Sequence, residues 1–309
     1  MESRVSAFRR SLVLIQLKNI GRTRCWLLGA GLAAILAFAG ASAYFAWRFT
    51  GPFTHAVGPI PPQFSWPVES VRFPARDDGI SLGGWFVACP GATEAVILLH
   101  GRGADRRAML PRAAWFRAKG FAVLLYDARG DGESGGHFSS LGWWEARDLL
   151  GAVDWLRSRG LAKFGCVGVS QGGATIALAA ARLQGLQWAV LESVYPTLTN
   201  AVDRRFENHF GVPGWLGGSL MRPITEWRLG VSIDVIEPVR HIAELACPVL
   251  ILNGDRDADT TPEDAARLYA AAQEPKTFAL VPGAGHEDLA SYAPAEYQRG
   301  LEAFLIGVH

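Results

Sequence analysis

Apolar residues are distributed along this chain in three distinct ways. Residues 25–47 form an uninterrupted uncharged run. At about 1.5 Å per residue, a helix of that length spans a hydrocarbon core of roughly 30 Å. Residues 50–67 then place Pro52, Pro59, Pro61, Pro62 and Pro67 among glycines and aromatics, the composition of an extended linker. From residue 68 onward, short continuous apolar runs alternate with stretches whose apolar positions recur at helical spacing. Runs 68–73 and 85–89 flank the Asp78-Gly79 turn and predict a hairpin. Runs 95–99, 121–126, 164–169, 188–191, 248–252 and 277–281 predict further strands. Helices are predicted near 106–119, 141–159, 174–183, 262–272 and 295–306. Continuous apolar strands between amphipathic helices mean a doubly wound, mostly parallel α/β sheet covered on both faces. Residues 194–240, rich in Trp, Arg, Gly and Pro, break the alternation and predict a small helical cap insertion.

Charge sharpens this division. The formal net charge is +1, yet residues 1–48 hold Arg4, Arg9, Arg10, Lys18, Arg22, Arg24 and Arg48 against the single acid Glu2. The remainder is mildly acidic, which argues against a nucleic-acid-binding surface. Basic residues crowd the amino side of run 25–47, and Trp26, Tyr44 and Trp47 stand at its ends as interfacial anchors do. The expected organisation is a basic cytoplasmic leader (1–24), a transmembrane signal anchor (25–47), a linker (48–67) and a globular domain (68–309) outside the cytoplasm in the inner membrane. A cleaved signal peptide is the competing reading, because Ala41-Ser42-Ala43 resembles a cleavage site. Residues 3–20 interleave apolar positions with arginines and are expected along the inner membrane surface. Cys25, Cys89, Cys166 and Cys247 have no metal-ligand spacing, so buried hydrophobic roles are expected; pairing among the last three stays open.

The chemistry is carried by one motif. G-x-S-x-G occurs around Ser81, Ser134 and Ser170, but only Ser170 has a strand before it and a helix after it. That context presents a serine hydroxyl on a strained turn at the carboxyl end of a strand. Gly168 and Gly172 let strand and helix approach closely. A serine hydroxyl needs a base, usually a histidine oriented by a carboxylate. In doubly wound hydrolases the chain order is Ser, acid, His. Here Asn253-Gly254-Asp255-Arg256-Asp257 follows one predicted strand, and Gly283-Ala284-Gly285-His286 follows the next. Both loops fall at the same sheet edge as Ser170. Asp255, Asp257 and Asp259 are all candidates for the acid on spacing alone.

These residues resemble the α/β-hydrolase superfamily, especially its small membrane-anchored serine esterases and the prolyl-oligopeptidase-like branch, over about residues 68–309. His100-Gly101-Arg102-Gly103 is similar to the family's H-G-x-G loop. Asp127-Ala128-Arg129-Gly130-Asp131-Gly132-Glu133-Ser134 is similar to its D-x-R-G-x-G-x-S loop, with Asp131 where histidine is common. The resemblance implies Asp257 as the acid, three residues after Gly254, and His286 as the base. Thr260-Thr261-Pro262 departs from the usual Val-Pro pairing. It also implies an oxyanion hole from the main-chain N–H groups of Arg102 and Gln171, with His100 and Gly101 bracing the loop.

The expected function is hydrolysis of carboxylic esters or thioesters of a small-molecule or lipid substrate, through Ser170, His286 and Asp257, with no cofactor and no metal. A serine peptidase or a lipid acyl hydrolase is the alternative within the class. A non-catalytic membrane-tethered binding protein is the alternative outside it. His55, His137, His209 and His241 are expected in ordinary surface roles, Trp143-Trp144 in packing or acyl-pocket lining, and Arg106-Arg107 at the start of a solvated helix.

Overall fold

Residues 68–281 supply eight strands that pair into one twisted sheet in a computed structural model. The structure describes residues 2–64 and 66–308, with side chains from residue 24 onward. The strands are β1 (Glu69–Pro74), β2 (Ser81–Val87), β3 (Glu94–Leu99), β4 (Ala122–Tyr126), β5 (Lys163–Val169), β6 (Leu186–Glu192), β7 (Val249–Gly254) and β8 (Lys276–Val281). Their order is β8-β7-β6-β5-β3-β4-β2-β1. Only the β1–β2 and β2–β4 pairs are antiparallel. Strands β3 to β8 run parallel and are joined by helical crossovers, as their continuous apolar runs require. The chain steps outward from β3 to β4 and then returns to lay β5 on the other side of β3. The carboxyl ends of β3 and β5 therefore flank the point where the winding reverses, where open α/β sheets place their ligands.

Period-two alternation sorts each strand onto two cores. Ile97, Leu99, Leu124, Tyr126, Leu191 and Ile251 face one side, covered by α3 (Glu145–Ser158), α4 (Gln171–Ala179) and α7 (Pro262–Ala271). Val96, Leu98, Val123, Leu125, Val190 and Leu250 face the other, covered by α2 (Leu110–Ala118) and α8 (Pro294–Ile306). Between β6 and β7 the cap contributes α5 (Leu198–Phe210) and α6 (Gly214–Leu229), so the predicted insertion is helical. Gly217 permits the α5–α6 crossing, since a Cβ there would lie 2.1 Å from the Phe206 ring.

The amino-terminal region differs from its expected division. Leader and uncharged run form one helix, α1 (Glu2–Thr50), that continues three residues past the expected span. Within it, Arg24–Thr50 is long and apolar enough to cross a membrane or serve as a signal sequence. The expected placement of residues 3–20 on a membrane surface concerns side chains outside the described residues. Residues 24–40 are exposed, whereas Ser42, Ala46 and Thr50 are buried and Phe45 and Phe49 half-buried, a stripe at four-residue spacing along one face. That face packs on the cap. Phe45 stands edge-on to Phe206 and Phe210 at 4.8 and 4.7 Å, and Arg228 lies 4.5 Å over the Trp47 ring.

The proline-rich segment is not a free linker either. Phe53-Thr54 pairs with Asp131-Gly132, the Val57 N–H donates to Glu133 at 3.1 Å, and Ile60, Phe64 and Trp66 pack on the second core. Its prolines cannot donate to a ladder, so pairing is confined to Phe53-Thr54 and the rest lies against the surface.

Arg106 corrects another expectation. Asp105 caps a 3₁₀ turn (Arg106–Met109), and the Arg106 side chain turns inward instead of into solvent. It is 3% exposed, paired with Asp127 at 2.7 Å and with Glu133, and stacked 4.6 Å over Trp85. A guanidinium buried so deeply needs its carboxylate partners. Arg107 does lie at the surface, paired with Asp105. All four cysteines are free thiols, with Cys166 and Cys247 buried.

Candidate active site

Strand register assembles the site before any side chain is considered. Leu99 pairs opposite Gly168, so the loops leaving β3 and β5 emerge side by side. Val281 pairs opposite Gly254, which does the same for the loops leaving β7 and β8. Between them the Ser170 N–H donates to the Glu192 carbonyl at 2.7 Å, and the Ser193 N–H to the Leu252 carbonyl at 2.9 Å. These bonds carry the ladder one residue beyond the strands.

Ser170 occupies the turn from β5 into α4 with φ 50° and ψ −111°, a backbone conformation that L-residues seldom adopt. The flanking glycines make this turn possible. A Cβ on Gly168 would come within 2.4 Å of the Gly172-Gly173 backbone, and one on Gly172 within 2.4 Å of the Leu99 carbonyl oxygen. The other two G-x-S-x-G serines are placed differently. Ser81 opens β2, and Ser134 donates to the Asp127 carbonyl at 2.6 Å while accepting the Gly83 N–H at 2.9 Å.

Asp257 is buried on the loop after β7 and meets His286 on the loop after β8, with Oδ2 and Nδ1 2.8 Å apart. A carboxylate only accepts, so the imidazole proton is on Nδ1 and Nε2 is left as an acceptor. Asp257 Oδ1 accepts the N–H groups of Asp259 and Thr260 at 2.9 and 2.8 Å, and Oδ2 accepts the Thr260 hydroxyl at 2.7 Å. Thr260 Oγ1 is also 3.2 Å from His286 Nδ1. The other two aspartates are engaged elsewhere. Asp255 accepts the Gly283 N–H at 2.6 Å. Asp259 pairs with His209 at 3.1 Å and Arg205 at 3.5 Å. Burial opposes ionisation of Asp259, but Arg205, His209 and Asn208 outweigh it and lower its pKa.

Among the described residues no hydrogen bond joins Ser170 Oγ to His286. The two side chains line one open cavity, together with Gly101 and Arg102. Hydrogen bonds of this kind commonly tighten only when substrate is bound. A second, smaller cavity also borders Ser170; its surface is mostly apolar, from Leu141, Tyr195, Leu198, Ala201, Val202 and, from α1, Phe49, with Arg205 and Asp259 also on its wall.

The loop after β3 is held by His100. Its Nε2 accepts the Ala128 N–H at 3.0 Å, and its Nδ1 donates to the Gly101 carbonyl at 2.8 Å. Burial lowers its pKa, which keeps the ring neutral as that bonding requires. Among the described residues, the main-chain N–H groups of Arg102 and Gln171 have no hydrogen-bond partner. Both residues border the Ser170 cavities. The Arg102 side chain points away, with Nε 3.0 Å from the Phe49 carbonyl oxygen, Nη1 3.1 Å from Asp131 and Nη2 on the Gly51 carbonyl. Among the described residues no group of three His, Cys, Asp or Glu side chains is arranged to hold a metal ion.

The sequence pattern of the prolyl oligopeptidase family matches residues 108–306, from α2 through α8. The chain belongs to the prolyl oligopeptidase family. Relatives of this family member include an uncharacterised protein of Mycobacterium tuberculosis, 30% identical over 244 residues that cover 75% of this chain and 78% of the relative. The uncharacterised protein YfhR of Escherichia coli is 26% identical over 250 residues, covering 78% and 79% of the two chains. Among solved structures, an esterase from Pyrococcus furiosus superimposes with a TM-score of 0.70 at 22% identity, covering 83% of this chain and 97% of the esterase. The sheet is that of the α/β-hydrolase fold, and family membership supports a hydrolase activity. Strands β1–β3 and the His100-Gly101-Arg102 loop precede the residues that the family pattern matches.

Four members of the site carry no motif. Thr260 bridges the acid and the imidazole from a position whose only sequence signal is departure from a family pattern. Glu192 holds the Ser170 N–H through its carbonyl, and its buried carboxylate accepts from Arg112 at 3.0 Å and from Tyr297. Arg205 and Phe49 arrive from the cap and from α1. Thr261-Pro262-Glu263-Asp264 opens the helix predicted near 262–272, and its capping box fixes the turn that presents Thr260.

Proposed function

We propose that this family member is a serine hydrolase that cleaves carboxylic esters, thioesters included. The observation that carries the proposal is the 2.8 Å Asp257–His286 pair beside the cavity onto which the strained Ser170 turn opens. His286 Nε2 takes the Ser170 proton as Oγ forms a bond to the acyl carbon. The tetrahedral oxyanion is held by the Arg102 and Gln171 N–H groups. It collapses as the carbon–alkoxide bond breaks and the imidazolium protonates the departing alcohol. Water, deprotonated by the same imidazole, then adds to the acyl carbon, and the bond to Oγ breaks as the imidazolium returns that proton to Oγ, releasing the acid. Asp257 keeps the proton on Nδ1 and stabilises the imidazolium, while Thr260 and the two loop N–H groups fix the carboxylate.

Ester specificity over peptide specificity is supported by the mostly apolar wall that Leu141, Leu198, Ala201, Val202 and Phe49 present beside Ser170, the chemistry an acyl chain needs. We read α1 as a membrane anchor with its amino terminus in the cytoplasm. This is supported by the exposed apolar side chains of residues 26–38 and the basic residues ahead of them. Hydrolysis of p-nitrophenyl esters by the full chain in detergent tests the chemistry. Ser170→Ala is expected to lower kcat by on the order of 10⁴ or more. A variant that kept a tenth of the activity would contradict it.

A further inference from the structure

The inner end of the acyl cavity is built partly by the membrane helix, and this has a consequence for the substrate. Phe49 stands on the last turn of α1 and lines the same apolar cavity as Ser170, opposite Leu198, Ala201 and Val202 of α5. Its position is fixed. The Arg102 guanidinium grips the Phe49 and Gly51 carbonyls, and the Ser139 N–H donates to the Thr50 carbonyl at 2.9 Å. Its ring leans on Phe206, whose centroid is 6.2 Å away.

Phe49 lies two residues beyond Trp47, where the uncharged run ends, a rise of about 3 Å along a helix. The apolar cavity therefore adjoins the level at which the hydrocarbon of a bilayer would stop. Two cavities meet at Ser170, and both are mostly apolar. Phe49, Leu198, Ala201 and Val202 wall one, Arg205 borders both, and Ser193, Glu287 and Asp288 contribute to the other. An apolar wall at that level, with charged groups beside it, fits an amphiphile.

We infer that Phe49 is a specificity-determining wall of the acyl cavity and that the substrate is an ester of an amphiphile resident in the bilayer, its acyl chain entering along α1. This inference rests on the serine-hydrolase reading above. An acyl chain passing between α1 and α5 meets the Phe49 ring edge or face, so the size of that side chain sets the usable chain length. Each methylene accommodated or refused in an apolar pocket changes kcat/KM by about tenfold or more.

The test uses the full chain reconstituted in phosphatidylcholine vesicles, with p-nitrophenyl acetate, butyrate, octanoate and decanoate as probes. Wild type, Phe49→Ala and Phe49→Trp are compared, and each is also treated with a fluorophosphonate. Wild type is expected to prefer octanoate or decanoate over acetate in kcat/KM. Phe49→Trp should lower the decanoate-to-acetate ratio by about tenfold or more, and Phe49→Ala should move the optimum to a longer chain. A wild type that prefers acetate overturns the inference without reference to any variant. So do decanoate-to-acetate ratios that stay within about twofold of wild type in both variants while both still react with the fluorophosphonate. Failure of wild type to react with the fluorophosphonate overturns the serine-hydrolase reading itself, and the inference falls with it.

Discussion

The candidate site has two sides built on different physical grounds. On the sheet side, Ser170, Asp257 and His286 stand on loops whose origins are dictated by backbone pairing. Leu99 opposite Gly168 and Val281 opposite Gly254 bring four loops to one edge before side chains matter. On the cap side, Phe49, Val202 and Arg205 meet only because α1, α5 and α6 pack through aromatic side chains such as Phe45, Phe206 and Phe210. The sheet side is over-determined, since many ladder bonds fix each loop. The cap side depends on a few contacts between elements far apart in the chain. A rigid half that performs chemistry can thus coexist with a more variable half that selects the substrate.

Substitutions on the sheet side should act on chemistry or on global stability. After Ser170 itself, the largest effect is expected for Asp257→Asn, which leaves the loop in place but removes the charge behind His286. kcat should fall by about 10³-fold or more in stopped or steady-state ester assays. An effect on KM alone would mean that the acid lies elsewhere.

Next is Glu192→Ala. It leaves Arg112, fully buried and paired with both Glu192 and Asp288, short of its main counter-charge. Removing one partner of such a pair costs about 3–5 kcal/mol, visible as a lowered midpoint in denaturant. Thr260→Val is milder. It deletes the hydroxyl that donates to Asp257 and should cost about 1–2 kcal/mol in transition-state stabilisation, with little change in the melting temperature. A Thr260→Ser enzyme near wild type would confirm that the hydroxyl, and not the methyl group, matters.

The smallest expected effect concerns Asp131, at the junction of the two sides. Burial pushes its carboxyl up to about 7 from 3.8, against the pull of Arg102. The stability contributed by the neutral form is fully present below about pH 4 and is lost as pH rises through about 7. Asp131→Asn should flatten the fall in thermal stability over that window, measured in detergent at successive pH values. An unchanged slope would mean that Asp131 titrates normally.

This difference between the sides also explains what could be read from the chain. Strands and most helices were legible because continuous apolar runs and helical spacing are local patterns. Ser170 stood out among three G-x-S-x-G matches because strand and helix context is also local. The course of residues 48–67 was not legible, since Val57, Phe64 and Trp66 look like any linker residues until the second core receives them. Arg106 has the sequence of a solvated helix start. Only the fold brings Asp127 and Glu133 to it. Phe49 follows the long apolar stretch of α1, where no spacing distinguishes an exposed ring from one that enters a cavity.

The central claim is that Ser170 is an activated nucleophile. The most direct measurement is treatment of the full chain with a fluorophosphonate in detergent, followed by mass spectrometry of the adduct. One phosphonylated peptide containing Ser170 is expected, absent in Ser170→Ala and strongly diminished in His286→Ala. A folded wild type with no adduct, or an adduct on another serine, would contradict it.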